Sequence, residues 1–494
     1  VKVELAGFNV DHDILKGLTK NKKKSLSLTP EIFSAAYARI SRSSKNVTEL
    51  RKEAKEEIEK ARKSNRNIIF GMGHHSVAEH AVFNFDIMDV SRLLAEEIER
   101  FRLCSYTEKS QRYIKLKGDF IMPAEIKKTP HHKKYREIIQ KGKRLYHTLY
   151  NKILQFEETR AGENPSKKKK KDHALKANED ARYILSLSQK TQLGETINGR
   201  NLELLLRRFA SHELEEGREF GKRVYSLVKN IAPSIILFYQ KNDFDHLTYP
   251  ELRRVTAELT LRKPKGSSGN VRIIDSSKKG DDILLASILH TSSTRSYQDI
   301  VDSVRTMTYR RKKEIIKNSF KHMELFDSVL REFEHVRITF SLIVSASCFA
   351  QLKRHRLASI TTQKYDPKLG VTIPQSVIHA GMDKEFSDFI KKTDDLFGKL
   401  EKRVPTAAQY ILTNAHRKRV LLTVNARELY HISRLREDEH AQWEIRELTE
   451  EMMRLAKRKM PLTFLLSGGK DKYPELYKEI FGTYPKITKP VLPS

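Results

Sequence analysis

Two arginine-bearing triplets are the most chemically suggestive features of this 494-residue sequence, Arg100-Phe101-Arg102 and Arg354-His355-Arg356. In each, two guanidinium groups flank a ring just ahead of a serine-bearing turn. A guanidinium fork can bond phosphate or carboxylate in a bidentate way. His355 adds an imidazole that can donate a hydrogen bond or stack on a planar ring. Triplets of this kind also occur as plain surface charge, so they identify no reaction alone. Ser110 has no Asp-His partners in sequence and reads as a hydrogen-bonding residue, not a nucleophile. Cys104 and Cys348 read as structural, and two cysteines make neither a disulfide framework nor a four-thiolate site. No further ligand joins His74, His75 and His80 at a recognisable spacing, so no metal is expected.

The segments that carry these residues occur twice. Glu79-His80-Ala81-Val82-Phe83-Asn84-Phe85-Asp86-Ile87 is echoed by Glu334-His335-Val336-Arg337-Ile338-Thr339-Phe340-Ser341-Leu342, 255 residues later. Phe83, Phe85 and Ile87 match Ile338, Phe340 and Leu342, the period-2 apolar face of a half-buried strand. The triplets repeat at an offset of 254. Ile197-Asn198-Gly199-Arg200 returns as Val424-Asn425-Ala426-Arg427 at 227, and His212 with Glu216 returns as His440 with Glu444 at 228. Four echoes in the same order make the chain an internal duplication. The shrinking offset places an insertion in the first copy, between Arg102 and Asn198.

That insertion, at about 160–175, includes Asn164-Pro165-Ser166 and the run Lys167 to Lys171, which reads as a solvated, mobile loop. Residues 1–243 form copy one, 244–270 a linker containing Lys263-Pro264-Lys265-Gly266-Ser267-Ser268-Gly269-Asn270, and 271–494 copy two. Val1 to Leu5 and Val271 to Asp275 read as opening strands. Val47 to Arg62, with Lys52/Glu56 and Lys55/Glu59 pairs, reads as one exposed helix. Ala426 to Lys457 reads as a long helical stretch. His212 and His440 read as packing or capping residues. Trp443, Tyr146, Leu149, Tyr150, Ile153 and Leu154 read as core. The fold class is α+β, with helices packed on small sheets in each copy.

A net charge of +31 points to anionic ligands: nucleotides, phosphorylated cofactors or nucleic acid. The longest apolar-leaning uncharged stretch, Ile338 to Leu352, is too short to cross a membrane. The start of the chain lacks the order of a signal peptide. Together with the cysteine count these features suggest a reducing, cytoplasmic setting.

Arg100-Phe101-Arg102, seven residues, then Ser110 resembles the Arg-His-Arg-x7-Ser signature of flavin-dependent thymidylate synthases, the ThyX family. Gly73-His74-His75-Ser76-Val77-Ala78-Glu79-His80 resembles the Gly-His-x-Ser/Thr-x-x-Glu-His element that precedes it there. Asn425-Ala426-Arg427, Leu435-Arg436 and His440-Ala441-Gln442-Trp443-Glu444 resemble the family's C-terminal block. The resemblance implies two ThyX-like domains, each a small mostly antiparallel sheet with helices. It also implies synthesis of dTMP from dUMP with FAD, NADPH and methylenetetrahydrofolate. Family members are typically homotetramers of single-copy chains, so a homodimer of this fused chain is implied.

By the same resemblance, Ser76, Arg100, Arg102, Glu108, Asn198 and Arg200 of copy one would hold the cofactor. So would Arg354, His355, Arg356, Asn425, Arg427 and His431 of copy two. Glu108, Ser110, Arg112 and Arg182 would bind dUMP, with Gln351, Arg354 and Arg436 from copy two. Arg436 would polarise the uracil and Ser110 would assist. Copy one has Phe101 in place of the signature histidine, and its counterpart of Arg436 is Phe209 by strict counting or Arg208 after a one-residue slip. Copy two has Lys364 at the serine position and Gln409 at the phosphate arginine. Neither copy is complete, so the expectation is a composite site joining the loop of copy one to Arg354 and Arg436. Gln409 would leave that site short of one phosphate contact. The alternatives are a catalytically degenerate homologue that binds nucleotide or RNA, and a flavoenzyme that methylates uracil in another nucleotide or in RNA. Glu79-His80 and Glu334-His335 are open between hydrogen bonding at strand entry and cofactor contact.

Overall fold

A computed structural model describes residues 1–19, 28–116, 119–160, 166–259 and 269–489. Asn164, Pro165 and residues 263–268 of the expected linker lie outside them. Among the described residues, eight strands form two four-stranded sheets. The first comprises β1 (Lys2–Phe8), β2 (Val82–Ser91), β3 (Ser105–Glu108) and β4 (Lys190–Asn198), in the order β1-β2-β4-β3. The second comprises β5 (Val271–Ser276), β6 (Arg337–Ser345), β7 (Ser359–Thr362) and β8 (Arg417–Asn425), in the order β5-β6-β8-β7. All pairings are antiparallel. The orders are identical strand for strand, and the duplication read from the echoes is a duplication of the fold.

Register preserves the repeat. Phe85 faces Glu195 across β2 and β4, and Phe340 faces Leu422 across β6 and β8. Phe83, Phe85, Ile87, Ile338, Phe340 and Leu342 are all buried, as period-2 alternation demands of a sheet with one covered face. A serine ends each central strand and caps the next helix: Ser91 Oγ accepts from Leu94 N, and Ser345 Oγ accepts from Cys348 N. The same serines donate to a carboxylate on a later helix. Ser91 N and Oγ each lie 2.7 Å from Glu216, and Ser345 Oγ lies 2.5 Å from Glu444.

The chain divides into two compact units, Val1–Lys263 with Ile373–Asn414, and Pro264–Thr372 with Ala415–Ser494. The first unit therefore takes in a middle segment of copy two. Its helix Asp383–Glu401 packs with His132–Arg160, where a Cβ added at Gly142 would stand 2.8 Å from the Phe389 ring. Ser186 and Thr413, counterparts at the 227-residue offset, form an antiparallel bridge. Leu187 N donates to Leu412 O and Asn414 N to Leu185 O, a mutually symmetric pair of bonds like those of a twofold interface.

Several elements depart from the expectations. Lys167–Ala181 is a helix, not a loop: Ser166 caps it by accepting from Lys169 N, and Ala177, Asn178, Asp180 and Ala181 are buried. Val47 to Arg62 is two helices, Val47–Glu56 and Ile58–Arg66, separated at Glu57. Leu50, Ala54 and Ala61 are buried there, and Lys55 pairs with Asp11 at 3.0 Å and Asp13 at 2.9 Å. The stretch from Ala426 is likewise two helices, Ala426–Arg436 and Trp443–Lys459. The segment from 244 lies largely within the helix Asp243–Glu258. Tyr146, Leu149 and Ile153 are buried core, whereas Tyr150, Leu154 and Trp443 are half-buried. No helix among the described residues is long and apolar enough to cross a membrane.

One buried carboxylate distinguishes the sheets. Glu195 of β4 faces Tyr106 of β3, where β8 and β7 have Leu422 facing Ile360. Glu195 is 3 % exposed, and burial pushes its carboxyl from 4.5 up to about 8. The folded state therefore binds a proton that the unfolded state lacks between these values. Stability falls as pH rises through this window and stays low above about 8. Glu195→Leu is expected to stabilise the chain by on the order of 3 kcal/mol above pH 8 and by less near pH 5. Thermal melts at both pH values check this, and an equal effect at both would refute it.

Candidate active site

In the second unit, Asn425 caps the helix Ala426–Arg436 by accepting from Glu428 N at 2.8 Å. Asn198 likewise caps Gly199–Ala210, accepting from Asn201 N at 2.9 Å. Both asparagine side chains thus set helix geometry. On the capped helix, residues four apart share a face. Glu428, Ile432 and Arg436 form one such row, and Arg427, His431 and Leu435 a neighbouring one.

The Glu428 row meets the second triplet. Arg436 Nε donates to His355 Nε2 at 3.0 Å, and Arg436 Nη2 donates to Gln351 O at 3.3 Å. On the other side of the ring, His355 Nδ1 lies 3.5 Å from Glu428 Oε1. His355 and Glu428 are 3 % and 5 % exposed, and burial is the main influence lowering the pKa of His355. Gln351 Nε2 donates to Gln442 Oε1, while Arg354 and Arg356 are half-buried on either side of His355.

The Arg427 row faces a cavity of about 1020 Å³ within the second unit. Arg427, Tyr430, His431, Arg434, Leu435 and His440 line one wall, and Phe326, Lys470 and Pro474 contribute to others. Arg427 is held by Glu334 at 2.9 Å and by Val329 O at 3.0 Å. Copy one repeats the arrangement, with Arg200 on Glu79 at 2.7 Å. The repeated glutamate therefore supports the arginine that follows the helix cap. His80 packs edge-on against Tyr37, and Ser76 is exposed beside it.

In the first unit, the loop after β3 is tied down by buried ion pairs. Arg92 Nη1 lies 3.1 Å from both oxygens of Glu108, and Thr191 Oγ1 donates to Glu108 at 3.1 Å. Arg112 Nε donates to Glu179, and Arg112 N donates to Ser110 Oγ at 3.2 Å. Next to them lies Arg182, 5 % exposed, with Nε on Glu179 O at 3.1 Å. Arg182 Nη2 is buried without a hydrogen-bond partner, as are Gln111 Nε2 and Asn414 Oδ1. Asn414 Nδ2 donates to Gln111 Oε1 at 3.1 Å and to Arg182 O at 2.9 Å. Buried polar groups without partners are costly to folding. Gln409 is also buried in this unit.

Counterparts in copy one show what changed. The Arg208 guanidinium sits 5.6 Å from the centre of the Phe101 ring, as Arg436 meets His355, whereas Phe209 is buried core. Arg208 and Phe209, one residue apart, both meet the Phe101 ring, with the Phe209 ring centre 6.3 Å from it. Asn201 stands where copy two has Glu428, and its Nδ2 is bonded to Asn198 Oδ1 at 2.9 Å. Arg100 pairs with Glu97 at 2.7 Å, and Arg102 is exposed. His212 Nδ1 accepts from Leu214 N, a capping role, while His440 is exposed at the cavity. Cys104 and Cys348 are both buried.

The profile of the thymidylate synthase complementing protein family matches residues 26–234 and again 272–462, more than half of the chain. The chain belongs to this family. Its two matched segments are the two ThyX-like copies. A flavin-dependent thymidylate synthase of Clostridium tetani is 32 % identical over 231 residues, covering 45 % of this chain and 89 % of its own. A UPF0159 protein of Thermoplasma acidophilum is 24 % identical over 426 residues, covering 78 % of this chain and 84 % of its own. A solved UMP/dUMP methylase from Streptomyces cacaoi, bound with 5-Br dUMP, overlays 44 % of this chain and 97 % of its own at 17 % identity, with a TM-score of 0.32, too slight a likeness to build on.

The ThyX family implies a flavin. The cavity's volume lies at the upper end of the ~300–1,000 Å³ typical of ligand sites, and Arg427, His431, Arg434 and Lys470 line it together with apolar groups and the carboxylates Asp327, Asp438, Glu439, Asp471 and Glu475. The basic residues fit the anionic part of a cofactor with a ring system, and the carboxylates make the lining one of mixed charge. Sequence reading missed Glu428, Gln111 and Asn414. The available signal for Glu428 was that residues 101/355 and 201/428 differ together between the two copies of this ThyX chain.

Proposed function

We propose that the chain is an FAD-dependent thymidylate synthase that reductively methylates dUMP to dTMP with methylenetetrahydrofolate and NADPH. The observation that carries this reading is the division of groups between the copies. Copy two keeps Arg436 on a neutral, buried histidine, and copy one keeps the loop from Glu108 to Arg112 with Arg182 beside it.

Carbon 5 of uracil becomes nucleophilic when negative charge develops on the ring. A guanidinium fixed in a sheltered pocket stabilises that charge without reorganising, which is the role of Arg436. Arg354 and the Gln351 side chain orient the base, and Ser110 and Glu108 position the nucleotide against the loop. Arg182 and Gln111 offer buried donors to its phosphate, a contact that Gln409 cannot supply as a charge. Arg427, His431, Arg354, His355, Arg356 and Asn425 belong to the cofactor side of copy two. Ser76, Arg100, Arg102, Asn198 and Arg200 are their equivalents in copy one. When bound, FAD supplies the hydride that originates on NADPH. The buried thiols are not required as nucleophiles. The working form is a homodimer of the fused chain, in the cytoplasm.

Incubation with [5-³H]dUMP, FAD, NADPH and methylenetetrahydrofolate is expected to release tritium to water and form dTMP. Neither should occur when NADPH or folate is omitted. One observation favours a second reading: Lys167 to Lys171 are all exposed on their helix. RNA binding that weakens steeply with salt, together with no tritium release, would select that reading.

A further inference from the structure

The guanidinium of Arg436 carries the proposed chemistry, and a chain of buried groups sets its position. An arginine Nε–H is a donor only, so its 3.0 Å contact with His355 Nε2 requires a lone pair on that nitrogen. The proton of the neutral ring then sits on Nδ1, which faces the Glu428 carboxylate at 3.5 Å. The opposite tautomer would set N–H against N–H at Arg436 and a lone pair against a carboxylate at Glu428. We propose that Glu428 is a positioning residue for Arg436: through His355 it fixes the direction in which the guanidinium meets the nucleotide ring. This rests on the proposed function for its consequence in catalysis but not for its geometry.

Two further observations point the same way. His355 and Glu428 lie more than nine-tenths buried, where an ion pair of convenience would be costly. Copy one lacks both. With Phe101 in place of His355 it has Asn201 in place of Glu428, and the Asn201 side chain turns back to its own helix cap while Arg208 rests on the phenyl ring. A carboxylate kept only for helix capping would not disappear with the histidine, since either residue type suits the first turn of a helix. The charged or titratable groups around the His355 ring are Glu428, Arg436 and His431, whose ring centre lies 5.9 Å away. Glu428 favours the protonated ring; burial, Arg436 and His431 oppose it, so the neutral form is held.

The test uses the full chain. Imidazole ¹⁵N NMR without any ligand, with His355 assigned by its loss in His355→Phe, is expected to show an Nδ1–H ring. Glu428→Gln is expected to shift it toward a mixture of tautomers. Tritium release from [5-³H]dUMP by Glu428→Gln should fall about tenfold in kcat with little change in KM, because the substrate-binding loop is untouched. The acid limb of its pH profile should move to lower pH, because the imidazolium loses its counter-charge. On a His355→Phe background, Glu428→Gln should add no further loss. An Nε2–H ring in the native chain, an unchanged spectrum in Glu428→Gln, or additive losses in the double variant would overturn the proposal. A chain that shows the Nδ1–H signature yet turns over no dUMP refutes the synthase reading and leaves the positioning geometry standing.

Discussion

Arg436→Ala is expected to lower C5 chemistry on dUMP by at least about 100-fold, while Arg208→Ala leaves it within about threefold. The two arginines stand one residue apart in register near the ends of equivalent helices, each against the ring of its triplet, so a role in helix stability would make their losses alike. Their surroundings differ. Arg436 is hydrogen-bonded to a buried neutral imidazole, which directs its remaining donors, whereas Arg208 rests on the face of Phe101 and lacks that constraint. A preorganised charge loses most when removed, because water must then reorganise to stabilise the developing anion. Single-turnover tritium release separates this step from binding. Equal losses in the two variants would mean that both copies carry the reaction and that their divergence has no catalytic meaning.

Arg182→Met is expected to weaken dUMP binding by about 10- to 100-fold, the range that follows from losing one charge-assisted hydrogen bond. It should do so without lowering the melting temperature of the ligand-free protein. A buried guanidinium with one unpartnered nitrogen is a cost to folding, and burial already depresses the pKa of Arg182. Exchanging it for an apolar chain of similar length removes that cost. Saturating dUMP should therefore raise the melting temperature of the native chain more than that of the variant. A large drop in ligand-free stability with unchanged dUMP affinity would make Arg182 a structural residue and leave the phosphate contact without a donor.

The fold was legible where side-chain periodicity records burial. Phe83, Phe85 and Ile87 reappear as Ile338, Phe340 and Leu342 because both sheets cover one face with helices, and that constraint survives divergence. Charge misled where it hid a narrow apolar stripe. Leu50, Ala54 and Ala61 are few among many lysines and glutamates, and the lysine run after Ser166 is the first part of a helix anchored by Ala177 and Ala181. The site was legible in its triplets, since spacing along the chain is visible in sequence. Its supports were not. Glu428 reaches His355 only because β8 delivers its helix beside the helix Ala346–Leu352, and Asn414 reaches Gln111 across 303 residues of chain. Such contacts belong to the fold and leave no local pattern.

On the proposed function, the two copies together carry one specialised flavoprotein site. Flavin quantified against chain after FAD reconstitution, gel filtration and denaturation tests it most directly. Visible bands of oxidised flavin and a ratio near one per chain are expected, with Arg427→Ala lowering that ratio far more than Arg200→Ala. A ratio near two with equal effects of both variants would contradict specialisation of the copies, and a chain that takes up no FAD would contradict the flavoenzyme reading itself.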